Sequence, residues 1–401
     1  MVSATARPYI DASVPVLREH GVAITRTFYH NMFAAHPELT NLFNMGNQAS
    51  GVQQQSLAAA VFAYAANIDN AAALGPVVNR IVHKHASVGI TAAHYPIVGR
   101  HLLGAIQEVL GDAATPALIA AWDEAYSELA DIFIATEKTL YATAGITPGQ
   151  LRPMRVTAVS DQGDEMKSFV LEAADGMPLP RFAAGQYVSV SVTFEDGSTQ
   201  LRQYSLSDKP DGQRLRITVK RVPEHAGHPA GHVSNWLHAH ATVGSILQLT
   251  HPFGDFAPDT ESNTPIVLLS AGVGITPMIA ALNRIAAVNP AREVIFAHAA
   301  RSAAHQGHSA DIAAAKAIMP NLRTAIFLEC SAGSGRADAA FFEGRMDISL
   351  VPEWVHADAD VYLCGPVAFM QKQWRDLLEA GVPAQRLHRE VFGPELLDYL
   401  T

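Results

Sequence analysis

The hydrophobic period changes twice along the chain. From about residue 5 to residue 145, apolar residues recur at three- and four-residue spacings, as at Val61, Tyr64 and Ile68, on an alanine-rich background with no strand-like run. This is the period of an amphipathic helix, and it predicts an all-helical unit. His36-Pro37, Gly75-Pro76 and the neighbourhood of Thr91 interrupt it and predict helix ends, with Thr91 as an N-cap. Gly145, Pro148, Gly149 and Pro153 then predict a linker. From about residue 155 to residue 256 the period drops to two, as in Tyr187-Val188-Ser189-Val190-Ser191-Val192 and Leu215-Arg216-Ile217-Thr218-Val219-Lys220. Short alternating runs of this kind predict a small antiparallel β-barrel. From Pro265 onward apolar strands at 266–269, 293–297 and 361–364 alternate with helical stretches, one starting near Thr276, which predicts a doubly wound α/β unit. The expected organisation is therefore three units, residues 1–145, 151–260 and 264–401, with no internal repeat.

Length agrees, because 401 residues exceed one ordinary core. A net charge of -10 with no long lysine or arginine run argues against nucleic acid or an anionic membrane as partner. No apolar run is long enough to span a bilayer, and Met1 to Leu17 has no basic segment followed by an apolar core, so a cytoplasmic protein is expected. Cys330 and Cys364, the only cysteines, suit a reducing compartment and make no disulfide framework.

Three stretches carry candidate chemistry. In Leu201-Arg202-Gln203-Tyr204-Ser205-Leu206, a strand would send Arg202 and Tyr204 to one face and Gln203 to the other. Arg202 can then neutralise a pyrophosphate with its forked donor, Tyr204 can stack on a flavin ring, and Ser205 can reach a ring nitrogen. An ordinary amphipathic strand reads the same way. In the helical unit His85 can be an axial haem ligand, with Tyr29 as a polar tip and Gln53 and Leu57 on one helix face; alone, each is as readily a packing residue. The third stretch, Gly272-Val273-Gly274-Ile275-Thr276-Pro277, follows the strand at 266–269 and lets backbone N–H groups approach a diphosphate at a helix start. It lacks the third glycine of the dehydrogenase fingerprint.

Taken in order, these motifs resemble the bacterial and fungal flavohaemoglobins over nearly the whole chain. The helical part has Phe28-Tyr29, His36-Pro37-Glu38-Leu39 leading to Phe43, Asn47-Gln48, Gln53 and Leu57, Lys84-His85, Tyr95 and Glu137. The rest has Gly185-Gln186-Tyr187, Arg202 to Ser205, Val233-Ser234-Asn235-Trp236-Leu237, the 272–277 stretch, Tyr362-Leu363-Cys364-Gly365-Pro366 and Glu390-Val391-Phe392-Gly393-Pro394. The resemblance implies a globin, a barrel that binds FAD and an α/β domain that binds NADH or NADPH, the last two similar to ferredoxin-NADP reductases. His85 is then the ligand of haem b, with Tyr95 and Glu137 around it. Tyr29 and Gln53 form the polar pair on the open side, Leu57 narrows access, and Phe43 wedges against the ring. Tyr187 joins Arg202, Gln203, Tyr204 and Ser205 on FAD, Ser234 faces its pyrophosphate from a helix start, and Val391, Phe392, Gly393 and Pro394 cover the flavin. Cys364 faces the nicotinamide, and Lys84 and Glu390 lie between haem and flavin, setting the redox poise of both.

The implied reaction is nitric oxide plus dioxygen to nitrate, in a monomer with no macromolecular partner. An oxygen sensor or carrier, or a reductase acting on acceptors such as lipid hydroperoxides, are the other readings, and a lipid or azole ligand in the distal pocket is allowed for. Three features depart from the family or leave a choice open. His225, His228 and His232 sit in a long Gly- and Pro-containing loop that reads as surface rather than a chelate. The tail 395–401 is somewhat long. Arg301-Ser302 follows the second strand of the α/β unit, where an arginine permits NADPH.

Overall fold

The three-to-four spacing of residues 5–145 becomes six α-helices: α1 (Arg7–Ala35), α2 (Met45–Ala49), α3 (Val52–Ala66), α4 (Ala71–Val88), α5 (Tyr95–Leu110) and α6 (Pro116–Ala144). The computed structural model describes residues 2–68, 71–224, 229–330, 341–351 and 358–394. Helix ends follow side-chain chemistry. Asn44 caps α2 by accepting the Gly46 N–H at 3.0 Å, and Thr115 caps α6 by accepting the Leu118 N–H at 3.2 Å, ahead of a proline in the first turn. Gly145 ends α6 at a φ of 67°, where a side chain would be strained. Ile10, Ile24, Phe28, Met32, Ile106 and Trp122 are among the buried residues where α1, α5 and α6 meet. One expectation is corrected and another holds. Gly75-Pro76 lies inside α4 and does not end it: a proline forfeits one N–H and crowds the preceding turn, but packing rather than local propensity holds such a helix. Thr91 is the N-cap, as expected, of a single 3-10 turn (Ala92–His94), its N–H donating to His94 Nδ1 at 2.9 Å, and α5 follows directly.

The period-two region forms β1 (Arg152–Asp161), β2 (Met166–Ala173), β3 (Tyr187–Thr193), β4 (Thr199–Ser205), β5 (Leu215–Lys220), α7 (His232–His240) and β6 (Ile246–Leu249). The strands pair antiparallel in the order β4-β3-β6-β1-β2-β5, and an antiparallel bridge from Leu206 to Ile217 joins the two ends. Val188, Val190, Phe169, Leu171, Ile217 and Leu249 fill the interior, and α7 plugs it with Val233 and Leu237. Pro153, expected in the linker, is the second residue of β1, opposite Gln248. At a strand start its missing N–H is tolerated.

The remaining elements are β7 (Ile266–Ala271), α8 (Ile275–Val288), β8 (Val294–Ala300), α9 (Ser309–Ile318), β9 (Leu322–Leu328), β10 (Phe341–Glu343), β11 (Asp360–Cys364), α10 (Val367–Glu379) and β12 (Leu387–Glu390). All six strands are parallel, in the order β10-β9-β8-β7-β11-β12. The chain winds outward from β7 through β8 and β9, then crosses to β11. The crevice at the carboxyl ends of β7 and β11 is thus a topological switch point, the place where such sheets receive ligands. Both faces are covered, so β7 reads as an unbroken buried run, Ile266 through Ala271. No helix among the described residues is long and apolar enough to cross a membrane.

Candidate active site

α6 presents one apolar face, with Ala130, Phe133 and Tyr141 buried, and Glu137 sits in the same register at 2% exposure. A carboxylate there needs partners. Glu137 Oε1 lies 2.8 Å from His85 Nδ1 on α4 and accepts the Tyr95 hydroxyl at 2.5 Å, while the Tyr95 oxygen lies 3.1 Å from the same ring nitrogen. Burial, and then its bond to Glu137, push the Tyr95 phenol far above its ordinary value, so its proton stays in place. With Nδ1 engaged, Nε2 is the nitrogen left for other chemistry, and His85 lines a cavity. Phe133 meets the ring edge-on with centroids 5.8 Å apart. Tyr126 fixes the start of α5 by donating to the Tyr95 carbonyl at 2.7 Å.

Tyr29, Gln53, Phe43 and Leu57 line that same cavity. Gln53 Nε2 donates to the Tyr29 hydroxyl oxygen at 3.3 Å. Burial raises the Tyr29 pKa to about 12, with Gln53 and then Gln48 pulling the other way, so the phenol keeps its proton at neutral pH. Phe33 and Phe43 pack around it at 5.7 and 5.8 Å between centroids. The walls are apolar, and the phenol and amide are placed as donors.

The cavity, about 1250 Å³, continues without interruption from His85 and Tyr29 to the barrel, where Arg202, Gln203, Tyr204, Ser205, Tyr187 and Ser234 line it. Arg202 donates to the Leu201 carbonyl at 2.7 Å, and no carboxylate among the described residues pairs with it; burial lowers its pKa. A guanidinium so desolvated is suited to a phosphate. Among the described residues Ser205 Oγ is buried without a hydrogen-bond partner, and Tyr187 Oη is buried with no partner at hydrogen-bonding geometry, though the Ser87 hydroxyl stands close to it. The Ser234 hydroxyl accepts the Val222 N–H at 3.3 Å and donates to the Gly231 carbonyl at 3.2 Å, securing the start of α7. Gln203 behaves differently from its neighbours: its amide donates to Ser87 Oγ, on α4, at 2.6 Å.

Lys84 and the segment after β12 also line the cavity. Lys84 Nζ donates to the Gly393 carbonyl at 2.7 Å and lies 3.5 Å from that of Val391. Glu390 is buried, whereas Phe392 is 44% exposed and lines the cavity with Val391, Gly393 and Pro394. Sequence reasoning missed the residues that join the helical unit to the barrel: Ser87, His83, which accepts the Gly254 N–H at 3.1 Å, the Arg80–Asp255 pair at 3.7 Å, and Gln200, which donates to the Thr40 carbonyl at 3.2 Å. Helix geometry holds one clue. Two residues along a helix turn by about 200°, so Ser87 faces away from the side that carries His85.

At the switch point Gly272–Gly274 form a 3-10 turn and α8 starts at Ile275. A Cβ on Gly274 would lie 2.3 Å from the Cys364 carbonyl oxygen, so this glycine allows β11 and the turn to touch. Val273 and Thr276 reach the cavity; Ile275 and Pro277 are buried. Cys364 is a buried core residue ending β11, and burial holds its thiol well above the usual range, with Glu390 adding to the shift. The NADPH candidate Arg301 is already engaged, its Nη2 2.5 Å from Glu165 Oε1. Of the histidine loop, His225 and His228 lie outside the described residues, as does the tail 395–401; His232 begins α7.

Residues 26–133 match the globin family and residues 268–374 the oxidoreductase NAD-binding domain. The chain is 48% identical over 401 residues to the flavohemoprotein of Bordetella parapertussis, covering 98% of this chain and 99% of that one. A flavohemoglobin from Malassezia yamatoensis, solved with bound FAD and heme, superposes with a TM-score of 0.85 at 30% identity, covering 98% of this chain and 100% of that one. The FAD/NAD-binding domain of a nitric oxide dioxygenase from Vibrio cholerae covers 61% of this chain and 99% of its own, at 34% identity and a TM-score of 0.54. Near-complete coverage at 48% sequence identity, and a full-length superposition on a flavohemoglobin, place the order of helical unit, barrel and parallel sheet in one group of proteins, and the chain belongs to the flavohaemoprotein family of oxidoreductases.

Proposed function

We propose that the protein is a nitric oxide dioxygenase, in which residues 1–145 hold haem b, residues 151–260 hold FAD and residues 264–401 take NAD(P)H. The observation that carries this reading is the single cavity that runs from His85 and Tyr29 to Arg202 and Ser205. The relatives named above supply the cofactors and, in one case, the activity. This chain's residues fit both groups: His85 has Nδ1 engaged by Glu137 and lines an apolar space, and the barrel offers a guanidinium with no carboxylate partner among the described residues and the buried hydroxyls of Ser205 and Tyr187. When bound, FAD turns hydride chemistry into single-electron chemistry and haem supplies an oxygen-binding iron.

The protein's own part is positioning and electrostatics. Glu137 keeps His85 Nδ1 protonated, which leaves Nε2 as the ligand atom and makes the imidazole a stronger donor. Tyr95 shares the carboxylate, so Glu137 is held in place and its charge is satisfied in a buried site. On the polar side Gln53 donates to Tyr29, so the phenol's own proton is free to be given to a partly negative ligand in the cavity. Phe33, Phe43 and Leu57 keep water away from that proton. Lys84 holds the segment 391–393 against α4, so that both line the cavity between the two cofactor spaces.

Nitric oxide, dioxygen and one electron balance to nitrate, so one NADH should support two turnovers. The test is to reduce the holoenzyme with NADH under argon, add dioxygen and nitric oxide, and follow nitrate with NADH loss. Two nitrates per NADH support the reading. Rapid NADH oxidation with nitric oxide left intact would leave only a flavin reductase.

A further inference from the structure

In a doubly wound sheet the end of the second strand meets the ribose beside the adenine, and an acidic residue there accepts from a 2′-hydroxyl while an arginine accommodates a 2′-phosphate. Here β8 ends at Ala300 and Arg301 follows, with no acidic residue of its own at 299–302. The acid comes from the barrel. Glu165, in the turn between β1 and β2, places Oε1 2.5 Å from Arg301 Nη2, with His305 Nε2 4.0 Å from the same oxygen and Lys220 Nζ 3.4 Å from Oε2. Three basic side chains thus converge on one carboxylate.

The turn that carries Glu165 is fixed against the sheet. Asp164 N–H donates to the Ala304 carbonyl at 2.9 Å. Gly163, at a φ of 81°, lies so close that a Cβ would stand 2.5 Å from the same oxygen. Lys220 also lines the large cavity, together with Val273 and Thr276 of the nucleotide turn, so the cluster stands at the rim of the space that turn faces. Stability does not explain the arrangement: the side chains of Arg301 and Lys220 are 56% and 39% exposed, and ion pairs so exposed add little.

We propose that Glu165 sets the coenzyme preference, by holding the anion position that the 2′-phosphate of NADPH would occupy and so making NADH the favoured coenzyme. The inference rests on the nicotinamide-binding reading of the C-terminal sheet and is independent of what happens at the haem. A carboxylate tethered by its own hairpin acts at high effective concentration, and a phosphate must displace it before reaching Arg301. Without it, Arg301, Lys220 and His305 form a ready cationic site.

The test is calorimetric titration of the full-length holoenzyme with 2′,5′-ADP and with 5′-AMP, which differ only by the 2′-phosphate. The native protein should bind 2′,5′-ADP no more tightly than 5′-AMP. In Glu165→Gln the ratio of the two affinities should rise by about tenfold, the gain of one charge-assisted hydrogen bond, and adding Arg301→Ala should cancel the gain. The ratio of kcat/KM for NADPH over NADH should move in parallel. If the native protein already prefers 2′,5′-ADP by about tenfold, or if Glu165→Gln shifts both nucleotides equally, the inference is overturned. The first of these needs no variant to fold. Failure of either nucleotide to bind would instead remove the nicotinamide reading on which it stands.

Discussion

Tyr29 and Tyr95 are both buried phenols, and their neighbours give them opposite tasks. Tyr95 donates its hydroxyl hydrogen bond to Glu137, whereas Tyr29 accepts a hydrogen bond from the Gln53 amide and keeps its own O–H available to donate. Tyr29→Phe should therefore lower nitric oxide turnover by roughly ten- to a hundredfold and speed oxygen loss, as expected when a donor at developing charge is removed. Stopped-flow measurement of oxygen dissociation and of nitrate formation checks both. Turnover at the native rate would mean that the phenol does not act on the ligand. On the other side, Glu137→Gln replaces a charged acceptor by a neutral one, and the iron–histidine stretching frequency should fall. Glu137 was legible in the sequence only through the family resemblance; the structure shows it four residues after Phe133 and four before Tyr141 on an otherwise apolar buried face. Ser87 was not, because a lone serine on a helix announces nothing until another unit packs on it.

At the scale of elements, close approach decides more than composition. The turn before α8 touches the end of β11 only because Gly274 has no side chain. Gly274→Ala should destabilise this contact by about 1–3 kcal/mol through overpacking. Reduction of the flavin by NADH should slow, while haem reduced chemically with dithionite still binds carbon monoxide. Strand β8 carries a second constraint. His298 is fully buried, its Nδ1 2.9 Å from Ser270 Oγ and its Nε2 without a partner among the described residues, and burial, reinforced by His308, lowers its pKa to about 3 from 6.5. Below pH 6.5 the unfolded chain binds a proton that the folded chain refuses. Its contribution to stability is therefore complete above pH 6.5 and is lost as pH falls toward 3. The slope is at most about 1.4 kcal/mol per pH unit for one such group. His298→Gln should flatten the fall of Tm between pH 6.5 and 4; an unchanged slope would assign the acid sensitivity elsewhere.

For the whole molecule the decisive feature is the junction of the helical unit, barrel and C-terminal segment. The hydrogen bond from Gln203 to Ser87 links the strand that carries Arg202 and Tyr204 to the helix that carries His85. Gln203→Ala should slow electron passage to the haem severalfold without slowing reduction of the flavin by NADH. Rapid-scan absorbance separates the two steps, since flavin and haem bleach at different wavelengths. Equal slowing of both would point to a damaged flavin site instead of a damaged junction. The linker expected at 145–153 was only partly right, because Pro153 already pairs within the barrel.

Periodicity pointed to the three units and to some of their strands, since burying an apolar face on a helix or a strand forces a distinct spacing. The motifs pointed to the family and to a minority of the residues that line the cavity, His85, Tyr29, Arg202 and Ser205 among them. The tertiary structure decided the rest: that Gly75-Pro76 continues a helix, that Gln203 reaches Ser87, that Cys364 is a core residue and that Arg301 is held by Glu165. Each depends on contacts between segments far apart in the chain. A one-dimensional pattern records which face of an element is buried, and carries no record of which distant element will cover it.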